Sequence, residues 1–327
     1  MNLNQTDHCL RFSCPGRSVS TALYVLSYVS AAAVVLVTVC GNLLIVISVC
    51  HFKELHTPTN MLILSLAVSD FLIGVFVIPA ALIWMIESCW IFSSTYCFCY
   101  VSISYFLTTT SVFNVALIAV DRYFALSNPF MYTNRVSLSS MCIVISLNWF
   151  VLLFYKTAFQ YFNGSLASLV MCPGDCFLVL DEVWSLVDLL LTFVFPLAVI
   201  VILYVLVFFI AKKHATAIRE LNSHTRSQTS KNMSDSMKSE RKAAKVLGIL
   251  VSVFLACLLP YFVYILLGSI IEMKVESFQK VLMMVYLNSA INPVIYALFY
   301  PWFRKCVKII LTFHIFNTDS ALINILS

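Results

Sequence analysis

Two carboxylates stand inside stretches otherwise fit for lipid: Asp70, in Leu66-Ala67-Val68-Ser69-Asp70, and Asp188, eight residues before Pro196. An ionisable group in hydrocarbon is costly unless it faces a protein interior, so each marks a candidate site. Asp70 has polar company at similar depth in other segments: Asn42, Ser111, Asn288 and Asn292. One carboxylate with hydroxyls and amides suits a small hard cation such as sodium, or a chain of waters. Equally, it can be a hydrogen-bonded knot that keeps helices in register.

Asp188 lies about two turns before Pro196 and roughly 8–10 Å below the outer end of its stretch, within reach from outside. A carboxylate in a low-dielectric cleft near Tyr105, Tyr261, Phe262 and Tyr286 offers an ammonium a counter-ion and π faces. The competing reading is a salt bridge to Lys156, seven residues after Trp149, which would quench the site. The expectation is that Lys156 instead snorkels to the headgroups and leaves Asp188 for a ligand. A third constellation is Asp121-Arg122-Tyr123 with Glu240, which is flanked by Arg241 and Lys242. An Arg between two carboxylates can act as a latch whose opening exposes a cleft; the bland alternative is an interfacial charge cluster.

The elements that must position these residues follow from composition. The 327 residues are 61% hydrophobic and 11% charged, against roughly 45–50% and 25% for a soluble domain, which excludes a soluble enzyme or a disordered chain. Seven stretches exceed the length needed to span a bilayer while carrying at most one ionisable group: 18–52, 57–86, 88–120, 136–155, 183–211, 246–271 and 281–303. They do not alternate in polarity, which excludes an outer-membrane barrel and leaves an all-α seven-helix bundle. The uncharged stretch 157–174, with Asn163, Gly164, Pro173 and Gly174, reads as the end of the fourth helix and an extracellular loop. The organisation expected is an extracellular N-terminus 1–22, a bundle 23–303 containing a third cytoplasmic loop 212–245, and a helix and tail 304–327.

Fifteen of the twenty Lys and Arg fall on one face by this topology, which makes that face cytoplasmic. The net charge of +5 thus reflects topology and not nucleic-acid binding. Asn4 and Asn163 then stand in extracellular sequons open to glycosylation, whereas Asn232 stands in a cytoplasmic one. Residues 1–22 lack the apolar core of a signal peptide, so the first helix is expected to serve as insertion signal. Cys9, Cys14, Cys97, Cys172 and Cys176 lie on the oxidising side, with connectivity open.

In order along the chain, Gly41-Asn42, Leu66 to Asp70, Cys97, Asp121-Arg122-Tyr123, Trp149, Pro196 with Tyr204, Phe254 to Pro260, and Asn292-Pro293-Val294-Ile295-Tyr296 resemble the rhodopsin-like G-protein-coupled receptors. Asn288 to Pro293 running into Ala297 to Lys305 is similar to the trace amine-associated receptors. So are Arg241-Lys242-Ala243-Ala244-Lys245 and the extracellular cysteines. The resemblance implies disulfides Cys97–Cys176 and Cys14–Cys172 and a short amphipathic eighth helix. It also implies a pocket of Asp188, Ser104, Tyr105, Thr108, Tyr261, Phe262, Ile265 and Tyr286, and a switch of Asp121, Arg122, Tyr123, Glu240, Phe254, Pro260, Asn292, Pro293, Tyr296 and Tyr204. The family usually carries its amine-binding Asp five turns before the latch arginine; that position is Ser104 here, and Asp188 resembles the relocated site of a mostly fish clade.

Leu258 stands where the family commonly has Trp, and Asn128-Pro129 where it commonly has Asp-Pro. The expected function is a receptor for small protonated, odorant-type amines, with Glu182, Asp181 and Glu87 as further acids for a diamine. A stimulatory or olfactory G protein, cyclic AMP, arrestin, a receptor kinase and olfactory cilia are implied as partners and setting. No cofactor is expected beyond sodium. A small-cation transporter is the rival from another class, but internal repeats and broken half-helices are not apparent. Five of the six His lie outside the spans and His51 lies at the inner end of the first, so they offer no enzyme site. The hydroxyl-rich loop 212–245 is a docking and phosphorylation candidate, and Cys306 is a weak palmitoylation candidate.

Overall fold

The computed structural model describes residues 20–164, 174, 176, 182–224, 228–267, 275–316, 320–323 and 325. Side chains are described throughout these except at 163, 164, 182, 185, 214, 215, 217–224, 228–245, 247, 275 and 276. Among the described residues seven helices are long and apolar enough to cross a membrane. They are α1 (Thr21–His51), α2 (Pro58–Glu87), α3 (Ser94–Ser127), α4 (Leu138–Gly164), α5 (Glu182–Leu189 continued by Leu190–Val194 and Phe195–His224), α6 (Gln228–Leu267) and α7 (Val275–Phe299). An eighth, α8 (Pro301–Leu311), follows at once, and a short helix Pro129–Arg135 joins α3 to α4. The seven-helix, rhodopsin-like bundle expected from the sequence is the fold found.

Helix starts are set by side chains that accept the first free backbone N–H groups. Ser20 accepts from Leu23, Thr57 from Asn60 ahead of Pro58, and Ser93 from Tyr96. These caps correct the third span, which begins at Ser94 and not at 88. Ser88 takes a left-handed conformation (φ 52°) that ends α2, and the Trp90 N–H donates to the Gly174 carbonyl at 2.6 Å. Cys97 is disulfide-bonded to Cys176, which ties the second extracellular loop to the top of α3. Cys89 is also disulfide-bonded, a site the sequence reading passed over. The Cys14–Cys172 pairing lies outside the described residues.

The seventh span also needs correction, because 281–303 crosses a break. Pro301 supplies no N–H, Tyr300 turns extended (φ −105°, ψ 106°), and α8 starts on a new axis. Pro79, Pro196, Pro260 and Pro293 lie within spans. Ahead of Pro79 and Pro196 the backbone widens to π turns at Ile73–Val77 and Leu190–Val194, which accommodate the missing donor without opening the helix.

α3 runs through the middle, packed on α2, α4 and α5; α1 packs on α2 and α7, and α6 on α5 and α7. α8 is amphipathic, burying Trp302, Phe303 and Cys306. Burial also pushes the Cys306 thiol up to about 11, so it stays protonated and unreactive near neutral pH. In the folded protein at pH 7.5 Cys306 is therefore expected to resist maleimide and to carry no acyl chain. Peptide mass spectrometry after labelling checks this, and quantitative labelling would mean that α8 lifts from the bundle.

Candidate functional site

In the outer half of the bundle several of the expected pocket residues come together. α3 presents Ser104, Tyr105 and Thr108 from one face, as their i, i+1, i+4 spacing dictates. The Ser104 hydroxyl is hydrogen-bonded to the Tyr286 hydroxyl from α7, and Tyr100 lies 3.3 Å from the same oxygen. Tyr105 lies beside Tyr261 of α6. Phe262 stacks on Phe193 at 5.5 Å between ring centroids, Ile265 is half-buried, and the Thr108 hydroxyl is buried without a hydrogen-bond partner.

At the edge of this aromatic set lies Asp188, 7% exposed. Lys156 does not snorkel. Its side chain is 8% exposed, and Nζ lies 2.7 Å from Asp188 Oδ1 and 3.0 Å from Oδ2. Nζ also stands 5.5 Å from the centroids of the Tyr105 and Tyr155 rings and 5.9 Å from that of Phe159. The Tyr155 hydroxyl donates to Oδ1 at 3.0 Å, a contact the sequence reading missed. The reason is helical phase. Seven residues are two turns, so Lys156 shares the face of Trp149, whose Nε1 donates inward to Ser65 at 2.9 Å. An ammonium on that face has the Asp188 carboxylate within reach and no need of the headgroups. Of the further acids, Glu87 accepts hydrogen bonds from Tyr24 and Tyr28. Asp181 and the Glu182 side chain lie outside the described set.

Midway down, Asp70 is fully buried and accepts from Ser111 at 3.3 Å, Ser289 at 2.8 Å and Asn292 at 2.6 Å. The expected contact from Asn288 is replaced by one from Ser289. Positions 288 and 289 lie four and three residues before Asn292, so both share its helix face, and only the packed position of α7 selects the hydroxyl. Pro293 cannot donate to the Ser289 carbonyl, which instead accepts from Asn42 Nδ2 at 3.0 Å. This bond ties α1 to α7 and answers the orphan oxygen inside the bundle. The amide oxygens of Asn288 and Asn292 are buried without hydrogen-bond partners. The Asp70 carboxylate and the Ser111 and Ser289 hydroxyls that meet it are oxygen groups of the kind a hard cation prefers.

At the cytoplasmic end Arg122 Nε donates to Asp121 Oδ2 at 3.0 Å, and its terminal nitrogen contacts both that oxygen, at 2.5 Å, and the Thr59 hydroxyl. The Tyr132 hydroxyl donates to Asp121 Oδ1 at 2.5 Å. Burial and this carboxylate push Tyr132 up to about 12, which fixes it as a donor. Thr59 and Tyr132 were not anticipated, since neither stands near the motif in sequence. Tyr123 turns partly outward against Phe124. The Glu240 side chain, the other half of the expected latch, lies outside the described set, as do Asn4 and the Asn163 side chain. Phe254 and Leu258 are buried beside Pro260 in α6, and the Tyr204 and Tyr296 hydroxyls are buried without hydrogen-bond partners.

Comparison with known proteins agrees with this arrangement. Residues 41–296 match the family described as 7 transmembrane receptor (rhodopsin family). The chain is 39% identical over 306 residues to trace amine-associated receptor 13c of Danio rerio, covering 91% of this chain and 89% of that one. It is 38% identical over 325 residues to trace amine-associated receptor 8a of Rattus norvegicus, covering 96% and 94%. Against trace amine-associated receptor 6 of Mus musculus it is 35% identical over 323 residues, covering 96% and 93%. Matched along nearly its whole length, this chain belongs to the trace amine-associated receptors, a non-enzymatic group within the rhodopsin family of seven-transmembrane, G-protein-coupled receptors.

Proposed function

We propose that this receptor takes a small protonated amine from outside, with the ligand ammonium on Asp188 and its apolar part among Tyr105, Tyr261, Phe262 and Tyr286. One observation carries the reading: the site already holds an ammonium. Lys156 Nζ sits on a buried carboxylate with three aromatic rings within 6 Å, the surroundings that recognise a cation.

Ligand entry alters the contacts of Tyr261 and Phe262, and α6 carries the change past Phe254 and Pro260 toward Arg122. A shift of the Arg122 pairing between Asp121 and Glu240 then opens a cytoplasmic cleft for a heterotrimeric G protein. The transducer is of the stimulatory or olfactory type with cyclic AMP output. The receptor works in the plasma membrane of olfactory cilia with its N-terminus outside, and the hydroxyls of 227–239 serve a receptor kinase and arrestin. Sodium taken by Asp70, Ser111, Ser289 and the amide oxygens of Asn288 and Asn292 would favour the inactive packing.

A cyclic AMP reporter in cells expressing wild type or Asp188→Asn, with surface expression checked, tests this against a panel of amines. Activation of wild type and its loss in surface-expressed Asp188→Asn is expected. An unchanged response in Asp188→Asn would make the acid structural.

A further inference from the structure

The pair on which this amine site is built also defines what an incoming molecule must carry. An ammonium has three hydrogens, and an ionised carboxylate has about four lone-pair directions. Lys156 directs at most two hydrogens at Asp188, and Asp188 accepts two contacts from Lys156 and one from Tyr155. One donor on Lys156 and one acceptor on Asp188 are left over. Both residues are 7% exposed, while Tyr105, whose ring faces Nζ, keeps 38% of its surface accessible. The pair is thus buried beside a ring whose surface stays partly accessible.

Charge decides what suits that edge of the aromatic set. The pair is neutral overall, so a lone ammonium meets repulsion from Lys156 along with attraction from Asp188. If it takes over the carboxylate, it strands Lys156 in a low-dielectric interior, which weakens binding by about 10²–10³-fold. A molecule with both an ammonium and an acidic group has no such conflict. Its ammonium meets Asp188, its acid meets the remaining donor of Lys156, and four charges alternate around one ring without breaking the original pair.

We propose that this receptor recognises amines that also carry an acidic group, the amino acids and aminosulfonates, with ammonium on Asp188 and acid on Lys156. This rests on the amine-site reading above and narrows its ligand class. The phases of Lys156 and Asp188 place both charges at the same edge of the Tyr105–Tyr261 set, so an aromatic or aliphatic side chain between them and Phe262 completes the fit.

The test uses matched molecules that differ only in the acid: phenylalanine with phenethylamine, tyrosine with tyramine, and β-alanine and taurine with ethylamine. Binding to full-length receptor in phosphatidylcholine nanodiscs is measured beside the cyclic AMP response. Wild type is expected to bind at least one acid-bearing member about tenfold or more tighter than its partner. Lys156→Met should reverse that preference. The exchange Lys156→Asp with Asp188→Lys keeps both charges buried and should recover preference lost in either single variant, which a mere fold defect would not. Wild type that binds the plain amine equally well or better, with loss in Asp188→Asn, overturns this proposal and leaves the amine site standing. Binding of no acid-bearing member overturns it too. Ligand binding undiminished by Asp188→Asn overturns the site itself.

Discussion

Asp188→Asn is expected to destabilise the receptor by about 3–5 kcal/mol, because it leaves the Lys156 ammonium buried without its counter-ion. The two side chains are 8% and 10% exposed, and the contact is two-pronged at 2.7 and 3.0 Å. Little water is present to take over from the carboxylate. Asp188→Leu with Lys156→Met removes both charges together and should be neutral or more stable than wild type by up to about 1–4 kcal/mol. Thermal melts of the detergent-purified variants decide the matter. The double variant must melt above Asp188→Asn; if the single variant melts with wild type, the ion pair contributes nothing to the fold. Both variants should lose the ligand response, so restored stability without restored signalling separates the two roles of the carboxylate.

Gly41→Ala should cost about 1–3 kcal/mol from overpacking alone. A Cβ at Gly41 would stand 2.6 Å from Pro293 Cβ and 2.9 Å from its Cγ. A proline ring is held by its own backbone, so α1 and α7 must move apart. The adjacent bond from Asn42 to the Ser289 carbonyl would stretch with them, and a buried acceptor left unpaired adds about 1–3 kcal/mol. Gly248→Ala in α6 is the control. A Cβ there meets nothing within 4 Å, and helix propensity should stabilise it by about 0.5–1 kcal/mol. Equal melting of the Gly41 and Gly248 variants would show that α1 and α7 are not in close contact.

The seven spans were legible because length and uniform apolarity are properties of a chain read in one dimension. Their ends at Ser88 and Tyr300 were not, since an apolar residue in a loop looks like one in a helix until a cap or a backbone angle places it. Asp70 and Asp188 stood out by type, and Asn42, Ser111 and Asn292 by depth. Ser289 did not, because adjacent positions both satisfy a helical repeat and only the packed rotation of α7 separates them. Lys156 was misjudged for a related reason. Depth in the bilayer suggested a route to the headgroups, whereas phase relative to Trp149 carried it to Asp188. Thr59 and Tyr132 reach Asp121 from 62 residues before it and 11 after, and no local pattern announces such contacts.

The π turn Leu190–Val194 lies directly below Asp188, whose carbonyl accepts from the Thr192 hydroxyl at 2.8 Å. A π turn holds one residue more than the α-helix it interrupts. Regularising that turn to α-helix with its residue count unchanged would turn Glu182–Leu189 by about 100° and push it out by about 1.5 Å. Asp188 would swing away from Lys156 and Tyr155 with the span otherwise intact. The aim of Asp188 at Lys156 and Tyr155 therefore depends on the turn below it as well as on its own position in the helix.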